Sequence, residues 1–262
     1  MEVYSNNYIK SKSKHKKVIV FDLDETIGSF GELYLLWNNI NLEKNQKNFN
    51  SLLDLYPEFL RYGILNIIDY LKYKKNNGGY FKTFLYTNNQ FSQQWVTMII
   101  NYIESKQNAI GLFDQIIYGF NKSIDCMRTT KNKTHSDFIR CSVLHRATEI
   151  CFIDDTYFNK MEHPTVYYIQ PKRFYHSLKT SDIIGRITKS SLVDDTDSLY
   201  SEFINRNMLN TVSKSRSEVD TDILVSQKIM YHIKEFFIMS TRKEKTRNNR
   251  YKQIGRFTRK RS

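Results

Sequence analysis

Val18-Ile19-Val20-Phe21-Asp22-Leu23-Asp24-Glu25-Thr26 is an apolar, β-branched run that stops abruptly at a carboxylate. Four apolar residues with no polar alternation predict a strand buried on both faces, the kind found centrally in a parallel sheet. Two later segments share the design: Phe81–Tyr86 ends at Thr87-Asn88-Asn89, and Ile150-Cys151-Phe152-Ile153 ends at Asp154-Asp155. Ile116–Tyr118 and Val166–Ile169 add shorter strand candidates. The stretches between them carry helical spacing. Residues 29–71 are mainly helical in pattern, with Asn-rich interruptions near 38–50, and Ile64, Ile67, Ile68 and Leu71 stand at i, i+3, i+4, i+7. Trp95, Met98, Ile99 and Ile103 mark another helix, 134–146 a short one, and Asn76-Asn77-Gly78-Gly79 the clearest loop. Strands alternating with helices predict an α/β fold, a Rossmann-like core on a mostly parallel sheet.

Residues 17–180 form that predicted core. A basic segment over 1–16 is expected to be ordered only near its end. Beyond 180 the strand signal fades into a helical extension over 181–240. It opens with a polar stretch holding Asp194, Asp195 and Asp197, followed by one helix over 218–239. The composition of 241–262 is that of a disordered basic tail.

The formal charge of +13 suggests a nucleic-acid binder until it is located. Residues 1–17 hold five lysines against Glu2, and 241–262 hold ten Lys/Arg against Glu244, which leaves 25 basic and 25 acidic side chains between. The body is neutral and the ends are basic, so attraction to nucleic acid or a targeting factor belongs to the ends. The three cysteines, Cys126, Cys141 and Cys151, form no CxxC pair. That excludes a disulfide framework, argues against zinc and predicts a reducing compartment, cytoplasm or nucleus. No run approaches the roughly 18 apolar residues of a membrane span, and no membrane partner is expected. Abundant Lys, Asn, Ile and Tyr resemble AT-rich coding. A large DNA virus or parasitic eukaryote would suit that bias, and a viral chain would act in the host cell or virion.

In a parallel sheet, ligands bind outside the carboxyl ends of the strands, so the three polar strand ends are expected to converge on one crevice. A helix cap would account for one aspartate. It would not account for two flanking Leu23, nor for the second acidic strand end at Asp154-Asp155. Gathered carboxylates repel, and a hard cation such as Mg²⁺ relieves that repulsion with oxygen ligands alone. No His/Cys cluster competes for a softer metal. With its charge offset, Asp22 can attack an anionic phosphate in line and form an acyl phosphate. Asp24 can then protonate the leaving oxygen and deprotonate the hydrolytic water. The equatorial phosphoryl oxygens need donors, for which Thr87, Asn88 and a lysine are the candidates.

These residues resemble the motifs of the haloacid-dehalogenase-like (HAD) superfamily: FDLDETIG its DxDxT motif, LYTNN its second motif and FIDDT its acidic fourth. The branch it looks most like is the RNA polymerase II C-terminal-domain phosphatases, also called NLI-interacting-factor-like phosphatases. The resemblance covers about residues 17–175, with Arg61-Tyr62-Gly63 standing for an Arg-Pro-Gly element and Lys133 for a lysine ahead of Asp137-Phe138. It implies that Asp22 is nucleophile and metal ligand, and that Asp24 is the acid/base and gives its backbone carbonyl to Mg²⁺. Thr87 and Lys133 would bind the phosphoryl group, Asp154 and Asp155 would complete the metal site, and Thr26 would fix the loop. Lys131 competes with Lys133, which is preferred because it directly precedes the predicted helix. Tyr62 replaces the family's proline, and Asp-Asp-Thr-Tyr departs from its usual fourth-motif ending.

Arg128 and His135 lie in a basic stretch and could meet phosphate or substrate, but their expected setting is the surface. No histidine pair stands at i, i+4, Cys141 and Cys151 read as small core residues, and Trp95 reads as core rather than as a base-stacking platform. The resulting expectation is a Mg²⁺-dependent phosphatase without a large cap, acting on phosphoserine or phosphothreonine of a protein. The alternatives are a nucleic-acid 3′-phosphatase and a non-catalytic HAD-fold module that binds nucleic acid through its basic ends.

Overall fold

The computed structural model describes residues 1–4, 17–121, 127–190, 192 and 213–258. Its six strands are β1 (Glu2–Tyr4), β2 (Lys17–Phe21), β3 (Phe81–Tyr86), β4 (Gln115–Ile117), β5 (Glu149–Ile153) and β6 (Val166–Gln170). They form one sheet in the order β1-β6-β5-β2-β3-β4. The last five are mutually parallel, and β1 runs antiparallel along β6. From β2 the chain moves outward through β3 to β4, then returns to the other side of β2 for β5 and β6. The order therefore reverses between β2 and β5, the point where doubly wound sheets open a crevice. The fold is α/β with a Rossmann-like parallel core.

The named helices are α1 (Gly31–Asn39), α2 (Gln46–Leu55), α3 (Ile64–Asn76), α4 (Gln93–Lys106), α5 (His135–Cys141), α6 (Thr180–Lys189) and α7 (Arg216–Thr258). Four begin on side-chain caps: Asn45 for α2, Ser92 for α4, Thr134 for α5 and Ser215 for α7 each accept from the backbone N–H three residues on. The pleat of β2 divides the core. Ile19 and Phe21 join a large cluster with residues of α1–α4, α6 and α7, while Val18 and Val20 join a smaller one with Phe138 and Ile139 of α5. All four strand side chains are fully buried, as a central parallel strand requires. Trp95 is buried edge-on against Phe49 and Tyr34, at ring separations of 5.4 and 5.1 Å. Cys141 and Cys151 are buried, as expected of small core residues.

Three expectations need correction. The N-terminal segment is not ordered only near its end, because Glu2–Tyr4 pairs with β6. The reason is that β6 would otherwise expose a full row of unpaired backbone groups. Residue 180 is no break in the core. Ile183 and Ile187 of α6, with Val225, Ile229, Ile233 and Phe236 of α7, lie in the same cluster as β2. The final helix does not stop near 240 but runs to Thr258, through most of the segment read as a disordered tail. The acidic patch at Asp194, Asp195 and Asp197, together with Cys126, lies outside the described residues. Among the described residues, no helix is long and apolar enough to cross a membrane.

Helix α7 is thus structural. The Phe237 ring meets Phe81 at 5.0 Å, and the Lys17 ammonium donates to the Phe236 carbonyl at 2.7 Å. Ile233→Ala, at a fully buried position, should destabilise the chain by about 3 kcal/mol in urea unfolding. Ile238→Ala, at a half-exposed position of the same helix, should change stability by no more than about 0.5 kcal/mol.

Candidate active site

Strand register brings the acidic ends together. Phe21 is level with Ile153 and Leu85, so Asp22 and Asp154 are the first residues past two adjacent strands. The Asp22 N–H donates to Ile153 O at 2.9 Å and that of Asp154 to Ile169 O at 3.2 Å, which carries the ladder one step beyond the sheet. Thr87, from β3, ends its strand similarly, donating to Ile117 O at 3.0 Å.

Beyond Asp22 the chain folds back at once. Ile27 N–H donates to Leu23 O at 2.8 Å, Glu25 N–H to Gly28 O at 2.7 Å, and Glu25 sits at φ +55°, a left-handed conformation rare for its type. Gly28 is required here, since a Cβ would collide with the Phe30 ring and the Phe59 carbonyl. Two side chains hold this turn. The Thr26 hydroxyl donates to Asp155 Oδ1 and accepts from the Asp155 N–H, both at 3.0 Å. Arg61, 1% exposed, donates to the carbonyls of Thr26 and Glu25 at 2.5 Å and of Lys172 at 2.9 Å. The Arg61-Tyr62-Gly63 element therefore staples the aspartate loop, with Gly63 at φ +73° supplying the turn into α3. Burial lowers the Arg61 pKa to about 10, against the pull of Asp222 and Asp155.

Asp22, Asp154 and Asp155 are all buried, and each offers a carboxylate oxygen within 4.8 Å of the others. Such a set of hard oxygen donors could hold a divalent cation. The Lys133 ammonium, 1% exposed, donates to Asp22 Oδ1 and, at 2.6 Å, to Asp154 Oδ2. Its place follows from the Thr134 cap, which starts α5 immediately after it. Lys131 is exposed, and its carbonyl accepts from Arg128 at 3.0 Å. The Asp24 carboxylate stands outside the three-aspartate grouping and accepts from Asn89 Nδ2 at 2.9 Å. A cavity of about 190 Å³ is lined by Asp22, Asp24, Glu25, Asn88, Asn89, Lys133, Asp154, Asp155, Thr156 and Phe158. Thr87 is fully buried and does not line it; its hydroxyl accepts from the Asn89 N–H at 2.9 Å.

Arg128 is not at the surface, as its basic neighbourhood suggested, but 1% exposed. Its guanidinium donates to Thr87 O at 2.8 Å, Tyr118 O at 2.7 Å and the Asn88 side chain, satisfying acceptors left free where β3 and β4 end. His135 is partly buried and stacked on His163 at 3.9 Å. Asn89 and Arg128 had no separate signal in the sequence: one is the second of two adjacent asparagines, the other one cation among several.

Burial shapes the electrostatics. It raises the pKa of Asp22, against the opposing pull of Lys133, and Asp155 adds to the rise. It lifts Asp154 to about 8 despite Lys133, with the Asp22 charge contributing. Asp24 is raised by burial to about 6, opposed by the Asn89 hydrogen bond, and Glu25 by burial and then Asp24 to about 7. Burial disfavours the Lys133 ammonium, but Asp154 and Asp22 outweigh it and raise its pKa.

Lys133→Met leaves the paired aspartates facing each other without their cation, which should destabilise the chain by about 3 kcal/mol at pH 8.5. Asp22 and Asp154 bind protons to higher pH folded than unfolded. Their contribution to stability is therefore present at low pH and lost as pH rises through the folded values, about 8 for Asp154. Removing the ammonium raises those values further. Denaturant unfolding should accordingly show a smaller Lys133→Met penalty at pH 5.5 than at pH 8.5. No family model matches the chain, and no curated protein matches it.

Proposed function

We propose that this protein is a Mg²⁺-dependent phosphatase of the HAD type, acting through an aspartyl phosphate on Asp22 and on phosphoserine or phosphothreonine of a protein substrate. The observation that carries this reading is the buried Asp22, Asp154 and Asp155 set, with Lys133 bridging the first two and Asp24 beside it. The donor set fits the cation, because it is all carboxylate oxygen, is buried, and has one ammonium set against its charge. Asp22, Asp154 and Asp155 would hold the ion. When bound, it supplies Lewis-acid charge that lets an anionic phosphate approach an anionic nucleophile.

The chain's own groups do the rest. Asp22 is held by its strand-end backbone bond and by Lys133, so one carboxylate oxygen is oriented for in-line attack. Lys133 offsets negative charge on the transferring group, and the Asn88 amide is available at the cavity wall. Asp24, with a pKa near 6, can carry a proton to the leaving oxygen and later accept one from water. Thr87 acts from behind, fixing the Asn89 backbone, and Asn89 orients Asp24. Substrate size is inferred from what surrounds the mouth. The apolar residues of α1–α3, between β2 and β3, pack in the large cluster on one face of the sheet, which favours an open site and a bulky substrate over a small metabolite.

Turnover of an aryl phosphate with Mg²⁺ tests the reading directly. The wild-type protein should hydrolyse it, chelation should abolish the activity, and Asp22→Asn should reduce kcat on the order of 10³-fold or more. Asp24→Asn should cost about 10²- to 10⁴-fold on a phosphoserine peptide but far less on an aryl phosphate, whose leaving group needs no proton. Absence of any metal-dependent turnover in the wild type would instead favour the non-catalytic binding module.

A further inference from the structure

The segment that follows β6 carries an arginine placed differently from Lys133. The Arg173 side chain is 56% exposed, yet its Nε lies 3.1 Å from Asp155 Oδ2 and its Nη2 donates to Thr156 Oγ1 at 3.2 Å. Both of those residues line the candidate cavity. The backbone on either side is anchored. The Lys172 carbonyl accepts from Arg61 at 2.9 Å, the Phe174 N–H donates to Glu25 O at 2.9 Å, and the Phe174 ring is buried, 5.3 Å from the Arg61 guanidinium. Arg173 is thus an exposed side chain on a segment stapled to the aspartate loop, so its backbone is positioned before any ligand arrives.

We propose that Arg173 reads a second negative group on the substrate, an acidic residue next to the phosphorylated one, so that the site prefers acid-flanked phosphopeptides. This rests on the phosphatase reading and narrows its substrate class. Lys133 is held by Asp22 and Asp154 and is buried, whereas Arg173 is held by Asp155 and is open to solvent, so the two cations serve different anions. A guanidinium offers five N–H donors in a planar fork suited to carboxylates, more than Asp155, Thr156 and Tyr175 take up. A peptide is favoured over an oligonucleotide because the chain between its basic ends is neutral. A nucleic-acid strand needs a basic groove along its backbone rather than one arginine.

The test is a ratio. Two phosphoserine peptides identical except for Glu or Gln beside the phosphoserine are compared by kcat/KM with Mg²⁺. Their affinities are measured in parallel by fluorescence anisotropy. The wild type should prefer the Glu peptide by about tenfold, the size of one charge-assisted contact. Arg173→Gln should bring the ratio to near one, and Arg173→Glu should invert it. A merely structural role would lower both peptides together and leave the ratio intact, which would overturn the proposal. So would equal affinity and turnover of the two peptides by the wild type, or a loss in Arg173→Gln confined to an oligonucleotide 3′-phosphate. If the wild type turns over no phosphoester, the phosphatase reading fails. The anisotropy ratio then decides on Arg173 by itself, and equal affinities reject it.

Discussion

Three carboxylates gathered at the ends of adjacent strands repel each other, and burial makes that repulsion expensive to leave uncompensated. In this chain the compensating charge is the Lys133 ammonium, set between Asp22 and Asp154. Much of the local architecture serves that contact. Parallel register of β2 and β5 puts the two aspartates level, and the Thr134 cap starts α5 where it leaves Lys133 facing them. Raised carboxyl pKa values show how close the balance is, since one ammonium does not fully offset the desolvation of its partners. A site with spare negative charge and hard oxygen donors is disposed to accept a further cation.

Two buried arginines supply the rigidity that such a site needs. Neither Arg61 nor Arg128 has a carboxylate among its hydrogen-bond partners named above. Each instead spreads its N–H groups over backbone carbonyls from separate loops, Arg61 over Glu25, Thr26 and Lys172, Arg128 over Thr87, Tyr118 and Lys131. A planar guanidinium can satisfy several acceptors at once, so one side chain ties together loops that leave different strands. The left-handed Glu25 is tolerated because the turn around it is held from several directions. A loop held in this way fixes Asp22 and Asp24 in place by contacts already made within the chain.

The same economy extends to the periphery. The short β1 covers an edge that β6 would leave open, and α7 closes one face of the sheet through Val225, Ile229, Ile233 and Phe236. With these elements on the faces and edges, the carboxyl ends of the strands are where the chain's polar loops meet. Charged loops and core are therefore separated in space, which lets the loops carry charge while the sheet stays apolar.

How much of this could be read in advance depended on the range of the signal. Local signals were clear. Apolar runs ending in acid located β2 and β5, i, i+3, i+4 spacing located α3 and α4, and Lys133 stood out by preceding a helix. Asp22, Asp154 and Asp155 could be expected to meet because parallel strands of similar length end on one side of a sheet. What lay beyond reach depended on contacts across long stretches of chain. A basic loop residue such as Arg128 gives no sign that distant carbonyls will bury it, and Arg173 gives none that Asp155 will receive it. The pairing of Glu2–Tyr4 with β6 and the run of α7 to Thr258 were equally invisible. Composition reports which residues can be solvated; only tertiary structure decides which backbone and side-chain groups are left needing a partner, and those needs captured the arginines and the edge strand.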